Sequence, residues 1–403
     1  MNHFTLRAGT AVANITPPLE VGLLTSSVHG LYAPFTSVRL PLKARVLVLS
    51  GGAATIALVS LDLLALSDTS TGGWEAFKEG MAGDVPAEHI IITCTHTHNA
   101  PESVALSALY LTPVYRTWLH EVQQQIRGAI AMALKSAKEC TVSIGSSVLE
   151  DYSLQRRIPT PQGIVMSDSL QPISPELMRR EPVDRRVHTI RFTAGDTVIA
   201  TVVHAVCHPV HEMCLPHISP DFPGELCNKL EAAGGNGMAL YLNGAAGDIN
   251  PPTVSEGPAA AREHGEALAA VVLQSVYTAP LAGVPLAFAH HDITFGIRCP
   301  AVTNPADAHA RVNAIALGQL AIVFLPGEPF TATALEIENA SPFPYTVITA
   351  YAENTIGYIP DLKGFAEGGY EAGPGKWSFL ETGAAAKLQA AALLLLNQLK
   401  NNV

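Results

Sequence analysis

The sequence is most informative at Ile90-Ile91-Ile92-Thr93-Cys94-Thr95-His96-Thr97-His98-Asn99-Ala100-Pro101. Isoleucine and threonine favour a β-strand, and two histidines follow it at alternate positions. Because alternate side chains on a strand point to the same side, His96 and His98 are predicted to leave one face at the strand's C-terminal end. Open α/β sheets bind their ligands at that end. Imidazole is a common zinc ligand, so the pair indicates either a metal or catalytic site or two structural histidines.

The composition is that of a globular enzyme of moderate size. The chain has 403 residues, of which 48% are hydrophobic and 15% are charged. That length suits one large α/β domain with an ample core, which we expect to cover residues 1–403. The net charge is −11 and no run of lysine or arginine occurs. Nucleic acids and anionic membranes are therefore not expected as partners, whereas a small-molecule substrate is.

Cysteine usage and terminal patterns predict the compartment. Six cysteines are too few for a disulfide scaffold and fit a reducing environment. The N-terminal residues lack the features of a signal peptide. The longest apolar run, residues 388–396, is too short to span a bilayer. We therefore expect a soluble, cytoplasmic protein without stable membrane association, and leave open whether it forms homo-oligomers.

Hydrophobic patterning predicts an α/β fold. Strands are expected at residues 42–50, 53–66, 90–95, 187–192, 197–207, 238–242, 316–325 and 345–350. Helices are expected over residues 115–137, 223–233, 260–277 and 383–400. Residues 151–183, rich in proline, glycine and serine and without periodicity, are predicted to form a long ordered loop. The result is a set of mixed β-sheets flanked by helices.

A second histidine cluster follows the strand predicted at residues 197–207. It contains His204, His208, His211 and His217, with Cys207 and Cys214 among them. Three interpretations are open. The cluster could form its own cysteine–histidine zinc site, although the spacing does not match a finger or ribbon. It could be one buried histidine with surface histidines around it, or His208 could reach the same metal as His96.

Three carboxylates are found in informative settings. Glu328 directly follows an apolar strand and lies between turn residues, where a glutamate is ordinarily a turn or helix N-terminal residue. Asp62 interrupts an apolar strand and therefore needs a partner. It either supports a ligand histidine or pairs with an arginine of the core. Asp248, in the small-residue loop 243–251, is by default a turn former or cap.

Taken together, these motifs resemble the catalytic domain of the neutral (non-lysosomal) ceramidase family, in a short form of the bacterial type. They occur in the family's order from near one terminus to near the other. The matching segments are residues 8–18, 41–48, 59–64, 95–98, 155–157, 207–209, 243–251, 326–328 and 357–371. The resemblance implies a single large catalytic domain of the neutral-ceramidase type, with mixed β-sheets flanked by helices.

The resemblance also implies a zinc amidase site. The implied ligands of the Zn²⁺ ion are His96, His208, Glu328 and Tyr358. The implied catalytic residues are His98, Arg156 and Tyr370, and contacts to substrate are assigned to Arg157, Asp248 and Gly244. Tyr370 stands twelve residues after Tyr358, which matches the spacing between the two tyrosines in the family.

The implied chemistry agrees with the residue types. Two imidazoles, a carboxylate and a phenol oxygen leave room on zinc for water, whose pKa then falls toward neutrality. Attack on a carbonyl creates an oxyanion that Tyr370 and His98 could stabilise, and Arg156 could hold a polar part of the substrate. The family's serine shortly before Gly-Asp is Gly244 here, so a serine mechanism is not expected.

The leading hypothesis is a zinc-dependent hydrolase that cleaves an amide bond of a soluble substrate, with an ester or lactone as the next choice. A zinc-dependent lyase or glycosidase on the same fold is the second hypothesis. A non-catalytic binding protein is the third.

Overall fold

Two β-sheets and their flanking helices make up the computed structural model, which describes residues 5–22, 33–52, 54–281 and 284–402. Within those ranges the larger sheet has nine strands. From one edge to the other, they are Leu286–Thr294, His309–Leu317, Leu320–Pro326, Tyr345–Ala352, Ile90–Cys94, Ala54–Leu61, Lys43–Gly51, Arg7–Asn14 and Lys138–Glu139. The described strands of the smaller sheet are Met238–Asn243, Thr197–Ala205, Arg186–Ala194 and Thr141–Val148.

Helices cover the outer faces of both sheets. The longer helices are Trp74–Met81, Pro113–Ser136, Asp221–Ala232, Pro258–Leu273, Thr331–Asn339 and Ala384–Asn402. Shorter helices are Asp68–Thr71, Pro175–Met178 and Leu362–Glu367, with single 3₁₀ turns at Leu19–Val21, Ala87–His89, Leu109–Leu111, Ser167–Leu170 and Pro305–Ala308. Two-residue strands occur at Ser37–Val38, Leu154–Gln155, His217–Ile218, Ile249–Asn250, Glu328–Pro329 and Tyr358–Ile359.

Strand Lys43–Gly51 shows how the layers pack. Its alternate residues Val46 and Val48 belong to the core beneath helix Pro113–Ser136. Leu47 and Leu49 belong to the core between the two sheets. Since side chains alternate across a strand, a continuous apolar run is what a strand buried on both faces requires. The molecule is therefore layered helix, sheet, sheet, helix, which confirms the predicted α/β class.

The sequence patterns were wrong in several places. Residues 151–183 are not a loop throughout, because Arg157–Thr160 and Gly163–Met166 pair as an antiparallel hairpin. Strand Arg7–Asn14 was missed because alanine, glycine and threonine fill it, although its burial alternates. Strands Thr141–Val148 and Leu286–Thr294 were missed for a related reason, since polar or small residues interrupt both.

The larger sheet brings four strand ends to one place. Strands Ile90–Cys94 and Tyr345–Ala352 meet only near their C-terminal ends, through the pair Thr93 and Ala352. On their other sides, Ile90–Cys94 pairs in parallel with Ala54–Leu61, and Tyr345–Ala352 pairs in parallel with Leu320–Pro326. The last residues of each parallel pair lie opposite each other. The segments that follow these strands therefore converge, and they carry the histidine pair and Glu328.

None of the described helices is long and apolar enough to cross a membrane. The organisation of residues 1–403 as one domain and the cytoplasmic location stay predictions.

Candidate metal centre

His96 is turned into the protein by an unusual backbone conformation. The strand ends at Cys94, and His96 has a φ of 71°, in the left-handed region. The extended geometry expected from the His-x-His spacing is therefore absent, although both rings still lie at the strand's C-terminal end. The Nδ1 atom of His96 lies 2.8 Å from the Leu64 carbonyl oxygen. Because a carbonyl only accepts, Nδ1 carries the proton and Nε2 holds a free electron pair.

A backbone carbonyl also fixes the tautomer of His208. It follows strand Thr197–Ala205, and its Nδ1 atom lies 3.0 Å from the Ile249 carbonyl oxygen. The proton is thereby fixed on Nδ1, which leaves Nε2 unprotonated. Burial lowers the pKa of His208 to about 4, so the ring is neutral at pH 7.

Three electron-pair donors converge at this point. The Nε2 atoms of His96 and His208 lie 3.2 Å apart, and Glu328 Oε2 lies 3.2 Å from the first and 3.3 Å from the second. In the neutral form each histidine donates from Nδ1, so the three atoms that face one another are all electron-pair donors. They repel one another unless a proton or a metal cation lies between them. The separations also match those between ligands on a tetrahedral zinc ion with bonds of about 2.0–2.1 Å.

Tyr358 is held beside Glu328 by backbone pairing. The two residues face each other in the short parallel ladder between Glu328–Pro329 and Tyr358–Ile359. The Tyr358 hydroxyl lies 3.5 Å from His208 Nε2. Burial raises the pKa of this phenol well above its usual value, so it stays protonated at neutral pH in the absence of a bound cation.

His98 lies next to the other two histidines. Its ring centroid is 5.0 Å from that of His96 and 5.7 Å from that of His208. One nitrogen from each of these residues can be chosen so that all three lie within 4.8 Å of one another. His98 Nε2 is buried without a hydrogen-bond partner. Burial and the neighbouring rings hold the pKa of His98 well below its usual value. Geometry alone leaves His98 as either a ligand or a neutral base beside the ion.

Arg156 places a fixed positive charge beside the candidate ligands. Its Nη1 atom lies 3.3 Å from His208 Nε2, and its guanidinium lies 5.3 Å from the centre of the Tyr358 ring. Glu371 fixes that guanidinium, with Oε1 accepting from Arg156 Nε at 2.7 Å and Oε2 accepting from Arg157 Nη1 at 2.5 Å. Arg157 also donates to the carbonyl oxygens of Gly364 and Gly368. Its hydrogen bonds therefore tie the site to the C-terminal segment.

Asp248 and Gly244 lie behind the site and do not line its cavity. The Asp248 carboxylate accepts from Thr331 N and Gln155 Nε2, and its carbonyl accepts from Arg156 N. It supports the backbone that carries Arg156. Burial raises the pKa of Asp248 to about 6. Gly244 is packed so closely that an added Cβ would lie 2.7 Å from His204 Nε2.

The histidines of the second cluster do not form one site, because they lie in several different parts of the structure. His208 joins His96, as the third interpretation of that cluster had it. His204 instead lies near His188, 5.8 Å between ring centroids, and its Nε2 donates to the Ile348 carbonyl oxygen at 3.0 Å. His211 and His264 share a hydrogen bond of 3.0 Å away from the site. Within the described part of the chain Asp62 bonds no histidine: its carboxylate accepts from Lys43 N and lies near Arg45.

The candidate metal centre borders a cavity of about 200 Å³. His96, His98, Glu328 and Tyr358 contribute to one wall, and Tyr370 belongs to the same lining. The Tyr370 and Tyr358 rings are 5.7 Å apart between centroids. Tyr370 is 45% exposed, so it lies on the solvent side of the cavity.

Sequence reasoning missed two residues of this site. Tyr351, with a φ of 55°, stacks on His96 with 4.1 Å between ring centroids. Nothing in its strand pattern distinguishes it from a core residue. Glu371 could have been found, because it is a carboxylate that directly follows Tyr370 in a glycine-rich segment.

His204 provides a test of stability against pH. Burial lowers its pKa to about 4, from 6.5 in an unperturbed histidine. The unfolded chain therefore binds the proton first as the pH falls, and stability is lost from about 6.5 downward to about 4. Replacing His204 with glutamine should make the free energy of unfolding decline less steeply over that range, by up to about 3 kcal/mol. Urea unfolding at several pH values measures this.

His120, exposed on helix Pro113–Ser136, is the matched control for that experiment. His120→Gln should leave the slope of stability against pH as it is in the parent. An equal slope in the parent and in His204→Gln would show that His204 does not stay neutral in the folded protein.

Comparisons with known proteins were made on both sequence and structure. No protein-family model matches the chain, and no curated protein matches it. The crystal structure of neutral ceramidase from Pseudomonas aeruginosa is similar with a TM-score of 0.76 and 16% identity, over 98% of this chain and 75% of that one. A ceramidase complexed with C2 is similar with a TM-score of 0.75 and 16% identity, over 98% of this chain and 76% of that one. The fold of this chain is therefore that of the neutral ceramidases.

Proposed function

We propose that this protein is a zinc-dependent hydrolase that cleaves an amide bond of a small, soluble substrate, with esters or lactones as weaker substrates. The observation that carries the proposal is the convergence of His96 Nε2, His208 Nε2 and Glu328 Oε2 within 3.3 Å, at a buried position where His96 and Glu328 line a cavity. The similar solved structures are described as ceramidases, which are amidases, and this supports the same reaction class.

The proposed zinc ligands are His96, His208, Glu328 and Tyr358. Nitrogen and oxygen donors of this kind suit zinc, and the two backbone carbonyls behind the histidines fix the tautomers that binding needs. A bound zinc ion supplies Lewis acidity, which polarises a carbonyl and lowers the pKa of a coordinated water toward neutrality.

The surrounding residues would move the protons. His98 stays neutral at pH 7 and has an unpartnered Nε2, so it can accept the proton of the attacking water at that atom. The same Nε2–H can then donate to the departing amine nitrogen. Such proton transfer is needed because an amide nitrogen leaves only when it is protonated.

Tyr370 and Arg156 would act on the developing charge. A protonated Tyr370 hydroxyl can donate to the carbonyl oxygen as it becomes negative. Arg156 lies behind Tyr358 and keeps the local potential positive. Glu371 holds Arg156 in that orientation through their 2.7 Å contact, so it is a positioning residue.

Replacing Tyr370 with phenylalanine tests the proposal. The expected result is a fall in kcat on an N-acyl p-nitroanilide by about 10²–10³, which is the usual effect of losing one oxyanion donor. Zinc content, measured by atomic emission, should stay that of the parent because Tyr370 is not a ligand. The same samples are assayed on matched ester and glycoside substrates.

Tyr345→Phe is the control, since Tyr345 is 39% exposed and does not line the cavity. The proposal fails if the zinc-loaded parent hydrolyses no amide. Full activity of Tyr370→Phe would remove Tyr370 from the catalytic set, and faster glycoside cleavage would favour the glycosidase hypothesis.

A further inference from the structure

One side of the cavity beside the candidate ligands is bounded by two residues. Thr69 and Tyr110 line it, and the same two residues line a separate surface cavity of about 490 Å³. They therefore form the partition between the two spaces. Thr69 is fixed in place, because its N and Oγ1 donate to the Asp307 carboxylate at 3.0 and 2.6 Å. Tyr110 lies on the 3₁₀ turn Leu109–Leu111 and packs against the core.

The entrance is formed by different residues. Tyr370 and Trp377 are 45% and 36% exposed, and their rings stack 5.4 Å apart with an interplanar angle of 7°. Lys376 beside them is exposed and donates to the Leu106 carbonyl oxygen. Trp377 donates to the Tyr370 carbonyl oxygen at 3.2 Å, which fixes the pair. The exposed side chains of Tyr370, Lys376 and Trp377 thus mark one place where the cavity meets solvent, and the exposed residues Ala301 and Thr303 mark another.

The space between entrance and partition is small and largely apolar. Leu64, Val104, Leu106, Val302 and Phe379 are among its walls. A cavity of about 150 Å³ holds a benzene molecule, so by proportion 200 Å³ holds on the order of eight carbon atoms. An alkyl chain of sixteen carbons would need about twice that volume by the same proportion, and its outer half would lie in water.

We propose that the acyl half of the substrate enters this cavity and lies against Tyr110, that it is an apolar group of up to about eight carbons, and that Tyr110 sets this limit. The proposal rests on the amidase function above and adds the substrate class. The amine half stays at the entrance, beside Tyr370 and Trp377. Long-chain N-acyl lipids are excluded as good substrates, because the partition stops the chain.

The test uses N-acyl p-nitroanilides with acyl chains of two to sixteen carbons, presented in mixed micelles so that all lengths are soluble. In the zinc-loaded parent, kcat/KM should rise with chain length up to about eight carbons and fall at least tenfold by sixteen. Tyr110→Ala joins the two cavities, and should move the optimum to longer chains and raise kcat/KM on the sixteen-carbon substrate at least tenfold. Tyr110→Phe keeps the ring and should keep the parent's limit.

Tyr345→Ala is the matched control for an exposed tyrosine, and should leave both rate and chain-length profile as in the parent. A parent that hydrolyses sixteen-carbon amides as fast as eight-carbon amides overturns the size limit while leaving the amidase function intact. A folded Tyr110→Ala with an unchanged optimum overturns the role of Tyr110. Absence of hydrolysis at every length in the parent overturns the amidase function itself, and the substrate class with it.

A binding measurement gives a second readout that does not depend on turnover. Fatty carboxylates of graded length resemble the acyl product, and Trp377 at the entrance reports their binding by fluorescence. Affinity should stop improving beyond about eight carbons in the parent and continue to improve in Tyr110→Ala. Continued improvement in the parent would show that the partition does not limit the chain.

Discussion

Replacing His96 with alanine should remove the metal and the activity together. The parent is expected to carry about one zinc ion per chain, and His96→Ala well under a tenth of that after dialysis against a weak chelator. Amide hydrolysis should fall on the order of 10³-fold or more, since the remaining ligands cannot hold the ion in the cavity wall. Atomic emission and the p-nitroanilide assay, made on the same samples, measure both quantities.

His98→Ala separates the two roles open to His98. If His98 is the base beside the ion, the variant keeps its zinc and loses about 10²–10⁴ in kcat, which is the range for general acid–base catalysis. If it is a ligand, zinc content falls as in His96→Ala. His120→Ala, on an exposed helix face, controls for removing a histidine and should change neither quantity.

A His96→Ala protein that retained stoichiometric zinc would contradict the proposed centre. The buried donors would then be explained by structure alone, in spite of the repulsion between two Nε2 electron pairs at 3.2 Å. Adding zinc back to the chelated parent should restore activity, and this shows that the loss is not caused by unfolding.

Local sequence patterns predicted much of the fold because a strand that is buried on both faces must be apolar at nearly every position. Strand Lys43–Gly51 packs between a helix and a second sheet, so its residues are apolar at every position between Ala44 and Leu49 except Arg45. Helix Pro113–Ser136 buries one face only, and its apolar residues recur at helical spacing. Edge strand Leu286–Thr294 is partly exposed. Two histidines and an aspartate interrupt its apolar residues, so the sequence pattern did not predict it as a strand.

The site was predictable only in part, because strand ends can be located from sequence but backbone turns cannot. His96 was placed correctly at a strand end, yet its ring direction comes from a φ of 71°, which no pattern indicated. Tyr358 lies beside Glu328 through a two-residue ladder that no periodicity reveals. For these residues the resemblance to a known family supplied what spacing could not.

Glu371 is the residue whose replacement should most strongly disturb the supporting structure. Its carboxylate is fully buried between Arg156 and Arg157, at 2.7 and 2.5 Å. Removing one partner of a buried ion pair leaves the other charges uncompensated, which typically costs about 3–5 kcal/mol. We therefore expect Glu371→Ala to lower the free energy of unfolding by that amount, and Glu371→Gln by less, because the amide still accepts one hydrogen bond.

Activity should respond separately from stability. At temperatures where Glu371→Gln is folded, a mobile Arg156 no longer holds its charge behind Tyr358, and kcat should fall about 10–100-fold, the usual effect of losing a supporting contact around a metal site. Glu381→Gln is the matched control, because the Glu381–Lys387 pair is exposed and worth less than about 1 kcal/mol. Urea unfolding and steady-state kinetics measure the two effects. If Glu371→Gln unfolds at the parent's urea concentration and keeps its kcat, the two arginines are held by their other contacts. Arg156 contacts Asn250 and His208, and Arg157 contacts Glu367 and the Gly364 and Gly368 carbonyls.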